Sequence, residues 1–218
     1  RLALCSGSNR LIEAFGIKRE STSEEAKWGD DLHTAVASGV LPDNEHDAEL
    51  VERCWDYRAS VAAKHELKEF QYERRLEYSG GRWGFADMVG LNRQMAMGLI
   101  VDWKFYRNAI HRKTLWYQLA DLALMLMSTE PWMQEVYAAA YNPISQEEYI
   151  ECFHRKEAQV LEKIILHVLA ESSGGPFELK PQYAVCRYCP ALSRCPAVHT
   201  EVKRNLAPLL RKDFSQAT

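Results

Sequence analysis

Between Phe70 and Tyr106 the chain carries three strand-like segments in succession, and this block constrains the fold more than any other feature. The first, FQYERRLEY, alternates: Phe70, Tyr72, Leu76 and Tyr78 fall on one face, Gln71, Glu73, Arg75 and Glu77 on the other. A period of two marks a strand with one wet face. Gly80-Gly81 supplies a turn. RWGFADMVGL and MAMGLIVDWKF read as two further strands joined by a turn at Asn92-Arg93, so the three together predict a meander. Each of these two carries a carboxylate, Asp87 and Asp102. Side chains two apart on a strand share a face, so Asp102 and Lys104 point together while Trp103 points back into the core.

Helical patterns lie on both sides of the block. STSEEAKWGDDLHTAVASGVLP predicts a helix with a Thr22–Glu25 capping box and an apolar stripe of Trp28, Leu32, Ala35 and Val36. Gly39 and Pro42 end it, and His33 lies beside the stripe. Residues 45–68 predict a second helix through Leu50, Val51, Trp55 and Val61. From Thr114, TLWYQLADLALMLMS predicts a buried helix stopped by Pro131. Two more helices are predicted over 131–140 and 146–171, the latter entered through Pro143 and Ser145-x-x-Glu148. At the start, LALCSGSNRLIEAF places Cys5 before a short helix, and SSGGP at 172–176 breaks the chain before a cysteine-rich tail. Helices, strands, helices and tail in that order predict an α/β fold, a mixed central sheet flanked by helices rather than a doubly wound one. No GxGxxG or P-loop occurs, which argues against nucleotide binding of those types.

A length of 218 residues suits one domain with a sizeable core. The 47% hydrophobic and 26% charged residues are those of a globular protein. No apolar run is long enough to span a bilayer and no secretory signal is read at the start, so the expected location is cytoplasmic and no membrane partner is expected. The net charge of −3 gives no global signal for nucleic acid. Locally, KFYRNAIHRK places Lys104, Arg107, Arg112 and Lys113 directly after the second acidic strand. Such a run is usually a solvated connection; here phosphate contact is the competing reading.

Two acids and a lysine on one sheet can hold a divalent cation and help water attack a phosphodiester. Singly, each element is weak. A lone helix histidine such as His33 is more often packed or solvated than a ligand, Gln118 could be an ordinary exposed residue, and Asp-x-Lys a surface ion pair. Together, GFAD (84–87), IVDWK (100–104) and YQLADLAL (117–124) resemble the PD-(D/E)XK nuclease superfamily. The resemblance is greatest to its RecB-like branch, which includes the CRISPR-associated RecB-like exonucleases and related phage proteins. That branch has a histidine on an early helix, matched by His33 in WGDDLHTAV, and a Gln-x-x-x-Tyr helix, matched at Gln118 but with Leu122 where the tyrosine would stand. The resemblance runs from Cys5 to Cys195 and implies a restriction-endonuclease-like core. It implies Asp87, Asp102, Lys104 and Gln118 as catalytic residues. It also implies Mg²⁺ or Mn²⁺ held by His33, Asp87, Asp102 and the Trp103 carbonyl, with Glu73 or Glu77 as a further candidate carboxylate.

Of six cysteines, three crowd into VCRYCPALSRCP. This triplet lacks a fourth member, and both tetrahedral Zn²⁺ and [4Fe–4S] sites want four ligands; on spacing alone zinc is the usual reading. The resemblance instead implies a [4Fe–4S] cluster on Cys5, Cys186, Cys189 and Cys195. The cluster would join the termini, with residues 1–10 and 180–200 as the cluster-binding part of a single nuclease domain over 1–218. Cys54 and Cys152 read as small core residues, and His111, His154, His167 and His199 lack ligand spacing. Trp83 and Tyr106 are aromatics free to stack single-stranded bases, and Tyr106, Arg107, Arg112 and Lys113 are the candidate DNA contacts.

The resulting expectation is metal-dependent DNA cleavage, as an exonuclease on single-stranded or end-containing DNA. The expected setting is bacterial or phage recombination, repair or CRISPR adaptation, with partner proteins from those systems. Two alternatives stay open: a non-catalytic DNA-binding or assembly subunit, and a zinc-stapled endonuclease.

Overall fold

A computed structural model describes residues 24–78, 81–106 and 112–173, together with 179, 186, 189, 191–202 and 204. Cys5, the short helix after it, Thr22, Arg107, His111 and the side chain of Lys113 lie outside the described residues. The chain divides into two compact units, Thr22–Ile165 and Arg1–Ser21 with Leu166–Thr218.

The larger unit opens with two helices, α1 (Glu24–Ser38) and α2 (Glu45–Lys64). Glu24 and Glu25 sit in the first turn of α1, where carboxylates suit the helix dipole. Gly39, at φ 74°, ends that helix by returning its N–H to the Ala35 carbonyl (3.1 Å). Asn44 caps α2 by accepting the Asp47 N–H at 3.2 Å. The two helices are tied by Trp28 Nε1 donating to Asp47 Oδ1 (3.0 Å) and Trp55 Nε1 donating to the Val36 carbonyl (3.2 Å).

Five strands follow in one sheet of order β1-β2-β3-β4-β5: β1 (Glu69–Tyr78), β2 (Arg82–Asn92), β3 (Met97–Trp103), β4 (Glu135–Asn142) and β5 (Glu147–His154). The first three form the expected antiparallel meander. β4 lies parallel to β3, which requires a crossover, supplied by α3 (Arg112–Thr129). β5 returns antiparallel, and α4 (Ala158–Ser173) follows a short 3₁₀ turn. The sheet is therefore mixed. The helices expected over 131–140 and 146–171 are replaced by β4, β5 and the later α4. Ala138, Ala139 and Ala140 are fully buried between two neighbouring strands, and packing on both flanks overrides the helix preference of EVYAAAY. Pro143 and Ser145 belong to the β4–β5 hairpin, where Asn142 Oδ1 accepts the Ile144 N–H (2.9 Å).

α1 and α2 cover one face through a core of Leu32, Val36, Leu50, Val51, Val61, Met88, Leu99, Val101 and Trp103. α3 covers the opposite face: a Cβ on Gly98 would meet Met133 and Leu126, and one on Gly84 would meet Leu122 and Met125. β1 also serves both faces, because it is kinked. Tyr72↔Met88 and Arg74↔Ala86 flank an unpaired Glu73–Asp87 rung, and Glu73 has a left-handed φ of 46°. Before the kink, Phe70 and Tyr72 pack on the α1–α2 core. Beyond it, Arg74 pairs with Glu130 after α3 (2.7 Å), and Leu76 is buried outside that core. The alternation of burial over 70–78 holds, but its apolar positions are shared between the two faces. Among the described residues no helix is long and apolar enough to cross a membrane.

Candidate active site

β2 and β3 pair from Asn92↔Met97 to Met88↔Val101 and then part. Parting frees the Trp103 N–H, which needs a partner when buried. Asp87 provides one: its Oδ2 accepts that N–H at 2.7 Å. The same oxygen lies 3.3 Å from His33 Nδ1 on α1. The imidazole is set edge-on against Phe105, with centroids 5.1 Å apart and an interplanar angle of 84°. Sitting beside the stripe that buries Leu32, Ala35 and Val36, His33 is therefore turned toward the sheet.

On the other side of the parting, Asp102 is buried. Strand parity sends Trp103 into the α1–α2 core and leaves Asp102 and Lys104 together, as expected, and the two form an ion pair. Gln118, from the second turn of α3, donates Nε2 to Asp102 Oδ1 (3.0 Å) and accepts from Lys104 Nζ on its Oε1 (3.5 Å). Carboxylate, amine and amide thus hold one another in a closed triangle.

Glu73, raised in the sequence only as one of two further candidates, joins the site directly. One donor atom each from His33, Glu73 and Asp87 lies within 4.8 Å of the other two. The register of the β1–β2 hairpin, Tyr78↔Arg82 through Arg74↔Ala86, puts Glu73 level with Asp87, and counting back from the turn expected at Gly80-Gly81 is the signal by which the sequence could have singled it out. Asp102 is next to this trio rather than one of it, with Lys104 and Gln118 in contact with its oxygens. Phe105, which orients His33, carried no sequence signal.

The electrostatics follow from crowding acids where several of them are partly or fully buried. Burial, then the neighbouring Asp102 charge, pushes the Asp87 carboxyl up to about 8, against the pull of the Trp103 N–H and Lys104. Partial burial also raises Glu73. Burial lowers His33, favouring the neutral imidazole a metal needs. For Lys104, burial works to lower the pKa, but Asp102 outweighs it and holds the ammonium charged. A carboxyl that stays protonated to about 8 is an acid lacking enough positive charge nearby. Two carboxylates and a neutral imidazole within reach of one point fit a divalent cation: the oxygens suit Mg²⁺, and the nitrogen shifts preference toward Mn²⁺.

Of the candidate DNA contacts, Tyr106 follows β3 and its carbonyl accepts from Asn142 Nδ2 (2.7 Å). Arg112 is exposed at the start of α3, its guanidinium 5.7 Å from the Tyr149 ring centroid. Trp83 is exposed, as expected for a free aromatic. In the smaller unit, Cys189 donates its N–H to the Cys186 carbonyl (2.9 Å). Cys195 packs there with Ala191 and Cys189. Cys54 is a fully buried core residue; Cys152 is not, being only half-buried with its sulfur 3.9 Å from His154 Nε2.

The sequence matches the family model described as the PD-(D/E)XK nuclease superfamily over residues 3–196. Among solved structures the chain is similar to SSO0001, at 13% identity and TM-score 0.41, over 90% of this chain and 83% of that one. It is similar to an alkaline exonuclease from Laribacter hongkongensis at 13% identity and TM-score 0.34, over 76% and 86% of the two chains. A protein from Eubacterium rectale is similar at 11% identity and TM-score 0.47, over 87% and 80%. A search of curated proteins finds no match.

Proposed function

Because the chain belongs to the PD-(D/E)XK nuclease superfamily, we propose that it hydrolyses DNA phosphodiesters, acting as an exonuclease on single-stranded or end-containing DNA. The observation that carries this reading is the adjacency of two sets at the β2–β3 parting: His33, Glu73 and Asp87 in one, Asp102, Lys104 and Gln118 in the other.

His33, Glu73, Asp87 and Asp102, with the Trp103 carbonyl, would hold Mg²⁺ or Mn²⁺. When bound, the cation supplies positive charge that makes water easier to deprotonate and offsets charge on the phosphate. Lys104, kept charged by Asp102, faces the phosphate and stabilises the negative charge that grows on it during attack. Gln118 acts by position, fixing both Asp102 and Lys104 so that neither must reorganise as charge develops. Tyr106, Arg107, Arg112 and Lys113 lie next along the chain and would contact the strand's phosphates and bases. A [4Fe–4S] cluster on Cys5, Cys186, Cys189 and Cys195 would act as a staple. The hydrogen bond from the Cys189 N–H to the Cys186 carbonyl and the packing of Cys195 with Cys189 support three of these ligands. Such a protein would work in the cytoplasm of a bacterium, or of a phage host, in recombination, repair or CRISPR adaptation.

The test is cleavage of end-labelled single-stranded, duplex and circular DNA with Mg²⁺ or Mn²⁺. Linear DNA is degraded and circles survive, and Lys104→Ala loses about 10²–10³-fold in rate. Circles degraded as fast as linear DNA reject the exonuclease assignment. Full metal-dependent activity in Lys104→Ala rejects the site.

A further inference from the structure

The sheet carries a second mixed donor set at its far edge. Glu135 and His154 are a direct cross-strand pair, and Cys152 precedes His154 by two residues on β5. That arrangement turns all three side chains to one face. His154 Nδ1 is 3.8 Å from Glu135 Oε2, and Cys152 Sγ is 3.9 Å from the other ring nitrogen. One donor atom from each residue lies within 4.8 Å of the other two. Glu135 is aligned with Met97, whereas Asp102 is aligned with Ala140. Five residues of strand, about 16 Å, thus separate the two sites along the sheet.

We infer that Glu135, Cys152 and His154 form a binding site for a divalent ion of the zinc class, distinct in place and chemistry from the centre at Asp87. Thiolate, imidazole and carboxylate are the donors that zinc takes, and a thiolate is a poor ligand for Mg²⁺. Zinc bonds of about 2.0–2.3 Å around a tetrahedral centre set ligand atoms roughly 3.3–3.7 Å apart. The His154 contacts to Glu135 and Cys152 use different ring nitrogens and an ion takes one; with one donor atom per residue the three stand within 4.8 Å of one another, and binding draws them together by rotation of the side chains. The charge is complementary as well, since Glu135, Glu157 and Glu151 all act on the Cys152 sulfur. Tyr137, directly opposite Cys152, hydrogen-bonds that sulfur, an outer contact of the kind that orients a metal-bound thiolate. β5 is an edge strand. An ion here clamps it to β4, and a fourth coordination position is left for water or an incoming group.

Zinc per chain decides the matter. Full-length protein is equilibrated with Zn²⁺, freed of excess by gel filtration and assayed by plasma mass spectrometry, alongside Cys152→Ala and His154→Ala. Cys186, Cys189 and Cys195 are intact in all three proteins, so zinc bound there cancels in the difference. Each variant carries one zinc fewer than the wild type while keeping its circular dichroism and its rate of divalent-cation-dependent DNA cleavage. Equal zinc in the three folded proteins overturns the inference, whether or not the protein cleaves DNA. Glu135→Gln, which preserves shape, weakens zinc tenfold or more in competition with a chromophoric chelator; unchanged affinity counts equally against the site.

Discussion

β3 is paired on both flanks, and the flanks differ in completeness. Toward β4 the ladder runs unbroken from Met97↔Glu135 to Trp103↔Tyr141, with small buried alanines on the partner strand. Toward β2 it stops at Met88↔Val101. Two consecutive N–H groups show the consequence. Lys104 donates to the Tyr141 carbonyl (2.9 Å), whereas Trp103 donates to the Asp87 carboxylate (2.7 Å). The complete flank has spent its polar groups on itself. On the incomplete flank side chains stand in for main chain, and their remaining oxygens are available to a ligand. A sheet gains a site where its own pairing fails.

The sharpest way to break this contrast is one substitution on each flank. Asp102→Asn keeps shape but removes a charge from the open flank, and DNA cleavage falls by about 10²–10³-fold or more with the fold retained by circular dichroism. Ala139→Leu overfills the closed flank, lowering stability to denaturant by about 1–3 kcal/mol and leaving the rate per folded molecule unchanged. The reverse pattern would mean that the two flanks are not divided in this way.

A smaller effect follows from Asp87, protonated up to about 8. A cation must displace that proton, so Mg²⁺ affinity by calorimetry weakens about tenfold per unit as pH falls below 8, and Asp87→Asn flattens the dependence. Without a cation the folded carboxyl holds its proton more tightly than the unfolded one. Its contribution to stability is therefore full below about 4 and is lost as pH rises through about 8. Thermal melts of the metal-free protein follow that trend, and saturating Mn²⁺ reverses it.

The smallest effect belongs to the kink. At φ 46°, Glu73 occupies a region that costs a side-chain-bearing residue about 1–2 kcal/mol and glycine nothing sterically, although glycine adds about 0.5–1 kcal/mol of chain entropy. Glu73→Gly therefore raises metal-free stability by no more than about 1.5 kcal/mol and weakens Mn²⁺ binding. A stability gain with unchanged affinity would reduce Glu73 to a structural kink.

β1 was legible from its alternation, β2 and β3 as apolar runs bounded by turn residues, and the α1–α2 pair and α3 from their helical patterning. His33, Asp87, Asp102, Lys104 and Gln118 could be singled out because each stands in a recognisable local context. β4 and β5 were not legible: EVYAAAY is locally a helix former, and only burial between strands makes it extended. Glu73 stood no higher than Glu77 because alternation alone puts both on one face, and only the hairpin register sets Glu73 level with Asp87. Cys152 and His154, two apart, gain meaning only when β5 is a strand and Glu135 lies across from it.

Anomalous diffraction from crystals grown with Mn²⁺ tests convergence on one cation most directly. A single strong peak between His33, Glu73, Asp87 and Asp102, with carboxylate oxygens about 2.0–2.6 Å from it, is the predicted result. Manganese bound elsewhere, with these four side chains left as they stand, would contradict it.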